Sequence, residues 1–599
     1  MSDGGVGNDD AQSPRTTFTV GAKHEQSAAA ASGDWARFPT AVLIIGLSVL
    51  ALLIRVSLAR QSGLWRDEGL FLFVARVDTW SAMLEFLRFN ESHPPLFYAV
   101  MRAWMSIAGS SDAAAQVIPV ILGVALVPAI YSAGASLFSR RAGLLAATLA
   151  ALSPALAEHA ALVRPYSLLP LLALLSSYTL VRGFQHGGRR VWLTHIVSTL
   201  AILYTHNWGI LVLGGQWVAA VCVLLQKSAR PGTAIVRQWI VSQLMIAVGY
   251  APWISTLLYQ SRHAGHAPPS IDGLAEYFQF VADGLRRFFE ATLVGYMPVD
   301  DRAILAAATR DFAMLLFAFA AVAVVVRFLG PRRRVDSAST QLSPSEPAAD
   351  GLELYGLPLI ILVAVPVSAW LAALVLSPRS NLLLTSCMVT LAPMFILAFS
   401  VWLTRHRTGL LAGGLLAAAA MLVAKNGASL VALSRGSRSN AREIANAVAV
   451  QTSESDLLII APEWLASSFN LYYTPDIDQI NFPHFGREGA ISHSGVRARS
   501  SDPAALLRVY QHIRRAREAG RRVWLITERD LVVDMSPEEI ATGLKSPSYG
   551  FVGTVRANQI RTELVSVYGP PDTSVTARTP PTRFEHFRAY LFTVPGGQQ

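Results

Sequence analysis

Residues 41–69 read AVLIIGLSVLALLIRVSLARQSGLWRDEG, and this stretch decides how the rest of the chain is interpreted. Its apolar part, 41–59, has about the 20 residues that a helix needs to cross the hydrocarbon core of a bilayer. No short apolar segment with a cleavage site precedes it, so we expect a retained membrane anchor. Two adjacent carboxylates, Asp67 and Glu68, follow the anchor closely. The stretch therefore predicts a membrane protein with functional groups at a helix end.

The composition of the whole chain agrees with this interpretation. Of its 599 residues 52% are hydrophobic and 15% are charged, whereas soluble chains carry about 25% charged residues. The formal net charge of +10 indicates basic cytoplasmic loops and contact with anionic lipid headgroups. Nucleic-acid binding is the weaker interpretation, because the arginines are scattered across helix ends. Only Cys222 and Cys387 are cysteines, and both lie in apolar runs, so a disulfide framework and a cysteine-based zinc site are excluded.

Apolar runs of membrane-crossing length recur along the chain. We predict eleven spans, at 41–59, 113–138, 142–161, 165–181, 191–205, 208–225, 239–257, 312–329, 355–376, 382–403 and 408–424. With a cytoplasmic N-terminus, every inside connection is then basic: 140–141, 182–190, 227–237, 327–334 and 405–407. Counting the apolar stretch 94–109 as a further span would place 140–141 outside. We therefore expect 94–109 to be a juxtamembrane or re-entrant helix on the outer side, and the C-terminus to be extracytoplasmic.

The chain divides into three parts by composition. Residues 1–38 are polar and lack apolar periodicity, which predicts a disordered cytoplasmic tail. Residues 39–433 form the transmembrane domain. It includes an amphipathic stretch, 271–297, expected on the outer membrane surface, and a Ser/Pro-rich cytoplasmic linker, 335–350. Residues 434–599 predict an extracytoplasmic α/β domain, with strands at 457–460, 523–527, 564–568 and 590–594 and a helix at 503–519.

This topology places several polar clusters on the outer side of the membrane. Asp67 and Glu68 could be only the solvated end of a helix, or they could provide a general base and its orienting partner. His93 precedes two prolines that suit a helix start, but it could also contact a phosphate at that helix N-terminus. Arg164 and Arg379 are either snorkelling anchors or cations that neutralise a phosphate leaving group.

The other polar residues are weaker candidates. Glu158, His159 and Tyr166 flank the outer end of the third span. His206 ends the fifth span and is more often a satisfied interfacial histidine than a functional one. His195 lies within a span, and we expect it to be structural. His263 and His266 have no carboxylate nearby, so they give little support for a metal site.

Taken together, these residues resemble a known family. The Asp67–Glu68 pair, His-Pro-Pro-Leu at 93–96, Arg-Pro-Tyr-Ser-Leu-Leu at 164–169 and Tyr-Thr-His at 204–206 are similar to motifs of the GT-C glycosyltransferases. The resemblance is greatest to the dolichyl-phosphate-mannose protein mannosyltransferase and aminoarabinose transferase superfamily (family 39/83 type), in the bacterial branch that includes the Rgt-type lipopolysaccharide glycosyltransferases. It covers roughly residues 40–400, and its motifs are specific in combination rather than singly.

The resemblance implies an inverting transferase with a GT-C fold and a polyprenyl-phosphate-linked sugar as donor. It implies that Asp67 is the catalytic base, that Glu68 orients, and that His93 contacts the donor phosphate. Many members have Arg-Tyr in the late outer motif, whereas Ser380 follows Arg379 here, so only the arginine carries over. Such a donor lacks the diphosphate that commonly recruits a divalent ion. We therefore expect no cofactor and no obligatory metal.

Two other functions remain open at this stage. One is a lipid or solute transporter, a class that often shows inverted repeats with broken helices near the midplane. No internal repeat is visible here, and the polar groups gather at one face. The other is an O-antigen-ligase-like enzyme, which would use a diphosphate donor and a large outer loop. The acceptor could be a protein hydroxyl, a lipid or a cell-envelope glycan.

Overall fold

The computed structural model describes residues 21–61, 63–91, 93–226, 231–263, 273–289, 353–380, 384–405, 410–485, 496–528, 535–545, 549–578 and 582–594. The helices of its membrane part are α1 Gly21–Arg60, α2 Arg66–Arg76, α3 Trp80–Phe89, α4 Leu96–Ala108, α5 Asp112–Leu137, α6 Arg140–Leu152, α7 Pro154–Ala160, α8 Leu168–His186, α9 Arg189–Thr205, α10 Gly209–Leu225, α11 Thr233–His263, α12 Leu274–Phe289, α13 Glu353–Ser380, α14 Thr385–Met388, α15 Ala392–Arg405 and α16 Leu410–Arg435.

The predicted spans coincide with helices wherever the structure describes them. Six of these helices are long and apolar enough to cross a membrane, at Pro39–Arg60, Asp112–Leu137, Pro165–His186, Thr233–Arg262, Gly356–Leu376 and Ser386–Thr404. The predicted spans 191–205 and 208–225 are helices of 17 residues each, and 142–161 is broken into α6 and α7. The span 312–329 and the linker 335–350 lie outside the described residues. The chain is thus a multi-pass helical membrane protein.

The break between α6 and α7 is caused by Pro154, which lacks the N–H that would bond the carbonyl of Ala150. A buried arginine of α1 contacts the carbonyls exposed there. The guanidinium of Arg55 donates to the carbonyls of Ala150 at 3.4 Å and Ala151 at 3.3 Å, and the side chain is fully buried. Gly123 allows α5 and α7 to approach each other closely, because a Cβ at this position would lie 2.4 Å from the Cβ of Ala160. Arg55 therefore joins α1 to the broken helix.

Three short helices fill the connection between α1 and α5, and the sequence predicts only the last of them. That helix, α4, has 13 residues. At 1.5 Å per residue it is about 20 Å long, too short for a core about 30 Å thick. It buries Phe97, Tyr98, Met101 and Met105 in a cluster shared with α2 and α3. The fold therefore contains a helix at the predicted position 94–109, and its length agrees with the prediction that it does not cross the membrane.

Helix α12 covers the described part of the predicted amphipathic stretch 271–297. Phe278 near its start is 67% exposed. Phe288 at its end is buried, with its ring 5.3 Å from that of Phe395 and 5.9 Å from that of Trp370. One end of the helix is thus anchored among the apolar helices, while the other presents aromatic side chains outward.

The C-terminal part is an α/β domain. Its helices are α17 Ala441–Gln451, α18 Ala466–Phe469, α19 Val496–Ser501, α20 Pro503–Glu518, α21 Pro537–Lys545 and α22 Tyr549–Tyr568. Its strands are β1 Ser437–Ser439, β2 Leu457–Ile460, β3 Asp478–Asn481, β4 His484–Phe485, β5 Val523–Glu528, β6 Thr573–Thr576, β7 Thr582–Glu585 and β8 Phe587–Phe592. The main sheet has the order β4-β3-β2-β5-β8-β6, with β2 parallel to both β3 and β5, and β1 pairs with β7 separately.

One local prediction is wrong. The run 564–568 was expected to be a strand because of its β-branched and aromatic residues, but it ends helix α22. Ile560, Leu564 and Tyr568 recur at helical spacing and are buried against the sheet, so tertiary packing outweighs β propensity. Helix α1 begins at Gly21, and the disorder expected for the tail 1–38 stays a prediction.

Candidate active site

The two adjacent carboxylates at the start of α2 have opposite environments. The Glu68 side chain is fully buried. It accepts hydrogen bonds from the backbone N–H of Trp65 at 3.2 Å and of Val163 at 2.7 Å. The former bond is the backward half of a capping arrangement that fits the third residue of a helix. The Asp67 side chain is 32% exposed, and its Oδ1 lies 3.3 Å from Nε of Arg66. Asp67 is thus the carboxylate that an incoming molecule can reach.

Arg164 connects Asp67 to the loop before α4. Its Nη1 donates to the backbone carbonyl of Asp67 at 3.3 Å, and its Nη2 lies 3.3 Å from Nε2 of His93. Nδ1 of His93 lies 2.6 Å from Oε1 of Glu91. Since arginine can only donate, Nε2 of His93 accepts and Nδ1 carries the proton. Burial, and then the charge of Arg164, lower the pKa of His93, so the ring is a neutral imidazole that orients the guanidinium.

His206 and Tyr166 complete the cluster. The His206 ring centroid lies 4.7 Å from that of His93 and 6.2 Å from that of Tyr166. Nδ1 of His206 accepts from the backbone N–H of Trp208 at 3.1 Å. The guanidinium of Arg164 lies 5.8 Å from the centroid of the Tyr166 ring, within cation–π range. Residues from four separate parts of the sequence therefore meet at one place.

Several buried polar atoms in this cluster have no hydrogen-bond partner among the described residues. They are Nε of Arg164, the hydroxyl of Tyr98 and the hydroxyl of Ser167. The Tyr98 hydroxyl lies near enough to Arg164, Tyr166 and Asp67 to interact with them electrostatically. Buried donors are normally paired. The Arg164 guanidinium and the two hydroxyls can all donate hydrogen bonds, and His93 beside Arg164 is neutral. Such groups are suited to an anion that accepts several hydrogen bonds.

The C-terminal domain also contributes to this region, which the sequence did not indicate. Arg438 of β1 is buried, and its Nη1 lies 3.3 Å from Oε1 of Glu68. The Trp65 ring stacks on that of Phe584 with centroids 4.5 Å apart. No spacing in the sequence links Glu68 to Arg438, 370 positions away, or Trp65 to Phe584, 519 positions away. Glu91 could have been recognised from the sequence, because it is an acidic residue two positions before His93, but it was not among the predicted site residues.

The remaining candidates are placed as follows. Arg379 lies in the last turn of α13, and its side chain is outside the described residues. Glu158 pairs with Arg583 of the C-terminal domain and does not join the Arg164 cluster. His195 is buried between α8 and α9, with Nδ1 3.1 Å from the carbonyl of Ser176, as a structural histidine would be. Within the ranges described, no three His, Cys, Asp or Glu side chains gather as a metal site would require.

Comparisons with known proteins agree with the motifs. A family model described as dolichyl-phosphate-mannose-protein mannosyltransferase matches residues 92–254. That segment contains His93, Arg164, Tyr166 and His206, so the predicted resemblance to this GT-C family is confirmed over the part that carries these residues. The segment is therefore similar to the mannosyltransferases that this family model describes. A search of curated proteins found no match.

Two solved structures align with most of this chain. ArnT from Cupriavidus metallidurans bound to undecaprenyl phosphate aligns over 93% of this chain and 99% of that chain, with 11% identity and a TM-score of 0.40. The archaeal oligosaccharyltransferase AglB from Archaeoglobus fulgidus, in complex with an inhibitory peptide and a dolichol-phosphate, aligns over 85% of this chain and 72% of that chain, with 12% identity and a TM-score of 0.44.

Proposed function

We propose that this chain is an inverting glycosyltransferase. It moves a sugar from a polyprenyl-phosphate donor to a hydroxyl acceptor on the extracytoplasmic side of the cell membrane. The observation that carries the proposal is the buried guanidinium of Arg164. Its Nε–H has no partner among the described residues, and the group lies within contact of both His93 and the backbone of Asp67.

Arg164 supplies the charge that such a donor requires. A sugar phosphodiester carries one negative charge, which a planar guanidinium can bind through two N–H groups at once. The Tyr98 hydroxyl adds a donor near the same place, and Ser167, next to Tyr166 in the chain, has a further buried hydroxyl. His93 is held neutral, so it orients Arg164 without adding a second charge. Arg379, which the family motif also assigns to the phosphate, would add a further cation from the end of α13.

Asp67 then serves as the general base. Its carboxylate takes the proton from the acceptor hydroxyl as the acceptor oxygen attacks the anomeric carbon. The bond between that carbon and the phosphate oxygen breaks, and the electron pair leaves with the polyprenyl phosphate, whose charge Arg164 stabilises. Attack from the face opposite the phosphate inverts the anomeric configuration. Partial exposure of Asp67 gives the acceptor access, whereas the buried Glu68 has none.

The experiment uses the purified full-length protein in nanodiscs. Undecaprenyl-phosphate-linked hexoses and pentoses are supplied together with membranes from a strain lacking the gene, and release of undecaprenyl phosphate is measured. We expect release with at least one sugar, and expect it to fall about 10²–10⁴-fold in the Asp67→Asn variant. Transport of the intact donor without release of undecaprenyl phosphate would instead indicate a transporter. Mass analysis of the envelope after gene deletion would identify the acceptor.

A further inference from the structure

The catalytic segment, residues 64–69, is held by the C-terminal domain through its backbone. The N–H of Leu64 donates to the hydroxyl of Tyr472 at 2.7 Å. The hydroxyl of Ser467 donates to the carbonyl of Arg66 at 3.0 Å. Gly69 packs so closely that a Cβ there would lie 2.3 Å from the carbonyl oxygen of Ser467. Helix α18, which follows β2, therefore lies directly against the segment that carries Asp67.

A second attachment runs through the buried carboxylate of Glu68. Besides contacting Glu68, the guanidinium of Arg438 donates to the carbonyl of Ala161 at 2.9 Å and of Ala59 at 3.2 Å. One side chain of the C-terminal domain thus joins the end of α1, the turn before Arg164 and the start of α2. Burial raises the pKa of Glu68, an effect opposed by Arg438 and by the two backbone N–H groups.

A third attachment provides a hydrogen-bond partner for the first turn of α2. The first N–H groups of a helix have no partner within the helix. The N–H of Arg66 bonds the carboxyl group of Glu585, the last residue of β7. This carboxyl group is held in turn by the hydroxyls of Ser439 at 3.1 Å and Ser468 at 3.2 Å. Strands β1 and β7 and helix α18 of the C-terminal domain thus fix both the position and the direction of α2.

We propose that the C-terminal α/β domain is a positioning element of the active site, with Arg438 as the positioning residue that acts on Asp67 through Glu68. This inference rests on the proposed function of Asp67 as base. Neither Arg438 nor Ser467 needs to touch the substrate. They set where the Asp67 carboxylate stands relative to Arg164, and a displacement of about 1 Å in such a group can cost about 10²-fold in rate.

The test compares Arg438→Gln with a matched control in the same domain. Arg522 pairs with the buried Asp456 at 2.8 Å. These two residues precede β5 and β2, whose opposite ends lead toward the catalytic segment. Arg522→Gln therefore breaks another ion pair to a buried carboxylate without touching the segment, although the Arg522 side chain is 36% exposed and that of Arg438 only 2%. We expect Arg438→Gln to lower kcat about 10- to 100-fold with the donor KM unchanged, and Arg522→Gln to leave both unchanged.

Three further measurements separate positioning from loss of folding. Gly69→Ala drives the segment away from Ser467 without altering any charge, and we expect the same fall in kcat. The double variant Glu68→Gln/Arg438→Gln should be no slower than the slower single variant, because residues acting as one unit are not additive. Hydrogen–deuterium exchange of peptides covering 64–69 should rise in Arg438→Gln and stay unchanged in Arg522→Gln.

The outcomes distinguish this inference from the proposed function. If Asp67→Asn is inactive while Arg438→Gln and Gly69→Ala turn over like the wild type, the positioning role is overturned and the base stands. If Asp67→Asn keeps its turnover, the assignment of the base fails. A slow Arg438→Gln variant would then act through another group, which also overturns this inference. Equal loss in Arg438→Gln and Arg522→Gln would reduce the effect to domain stability and contradict it.

Discussion

The opposite environments of Asp67 and Glu68 predict that their amide variants fail in different ways. Asp67→Asn removes one ion pair of a side chain that is 32% exposed, and such pairs contribute about 0–1 kcal/mol to stability. It also removes the base, so we expect turnover to fall about 10²–10⁴-fold, or about 2.7–5.5 kcal/mol in activation free energy. Folding should therefore be nearly unchanged while catalysis is lost.

Glu68→Gln should instead lower stability strongly and turnover only moderately. Its carboxylate is fully buried against Arg438, and breaking a buried pair leaves the partner charge uncompensated at a cost of about 3–5 kcal/mol. The amide oxygen can still accept the N–H of Val163, which places the expected loss near the lower figure. Turnover at low temperature should fall only about tenfold, because the base Asp67 is still present and only its position changes.

The assay measures both properties on the same preparations in nanodiscs. Release of undecaprenyl phosphate gives turnover, and the fraction remaining monodisperse after heating gives stability. Binding of undecaprenyl phosphate serves as the control for an intact donor site. Should Asp67→Asn retain most of its turnover while Glu68→Gln abolishes it, the roles within the pair are reversed. Wild-type stability in Glu68→Gln would refute the buried ion-pair argument.

Three further predictions concern the phosphate site, pH and topology. Arg164→Gln should weaken binding of undecaprenyl phosphate about 10- to 150-fold, because a charged hydrogen bond contributes about 1.5–3 kcal/mol. The Kd is measured by calorimetry, and an unchanged value would indicate that Arg164 is only a snorkelling anchor. Burial raises the pKa of Glu585 to about 8, above its unfolded value of about 4.3. Its contribution to stability is therefore complete below that unfolded value and is lost as pH rises through 8. The apparent melting temperature should therefore fall between about pH 4 and pH 8, and less steeply in Glu585→Gln; equal slopes over that interval would contradict this. Reporter fusions after Ser434 and near Ser339, which lies outside the described residues, should be active on opposite sides of the membrane, and activity on the same side would exclude the predicted topology.

The candidate site was largely predictable because its residues are unusual where they stand. Ionisable groups beside apolar runs are costly, so Asp67, His93 and Arg164 were visible as candidates before any fold was known. The sequence could not rank the two carboxylates by exposure. That ranking depends on the N–H of Val163 and on Arg438, which lie 95 and 370 residues away from Glu68. Proximity over such distances follows from packing rather than from local pattern.

What the sequence determined by itself is the membrane location of the helices, the α/β character of residues 434–599 and the clustering of polar groups at one membrane face. These properties follow from hydropathy, periodicity and charge, which act through the nearest residues and the solvent. The tertiary structure alone decided that the C-terminal domain clamps the start of α2, that Glu68 is buried and Asp67 exposed, and that 564–568 is helical. Each of these depends on which surfaces meet, and burial between surfaces distant in sequence can outweigh local preference by several kcal/mol.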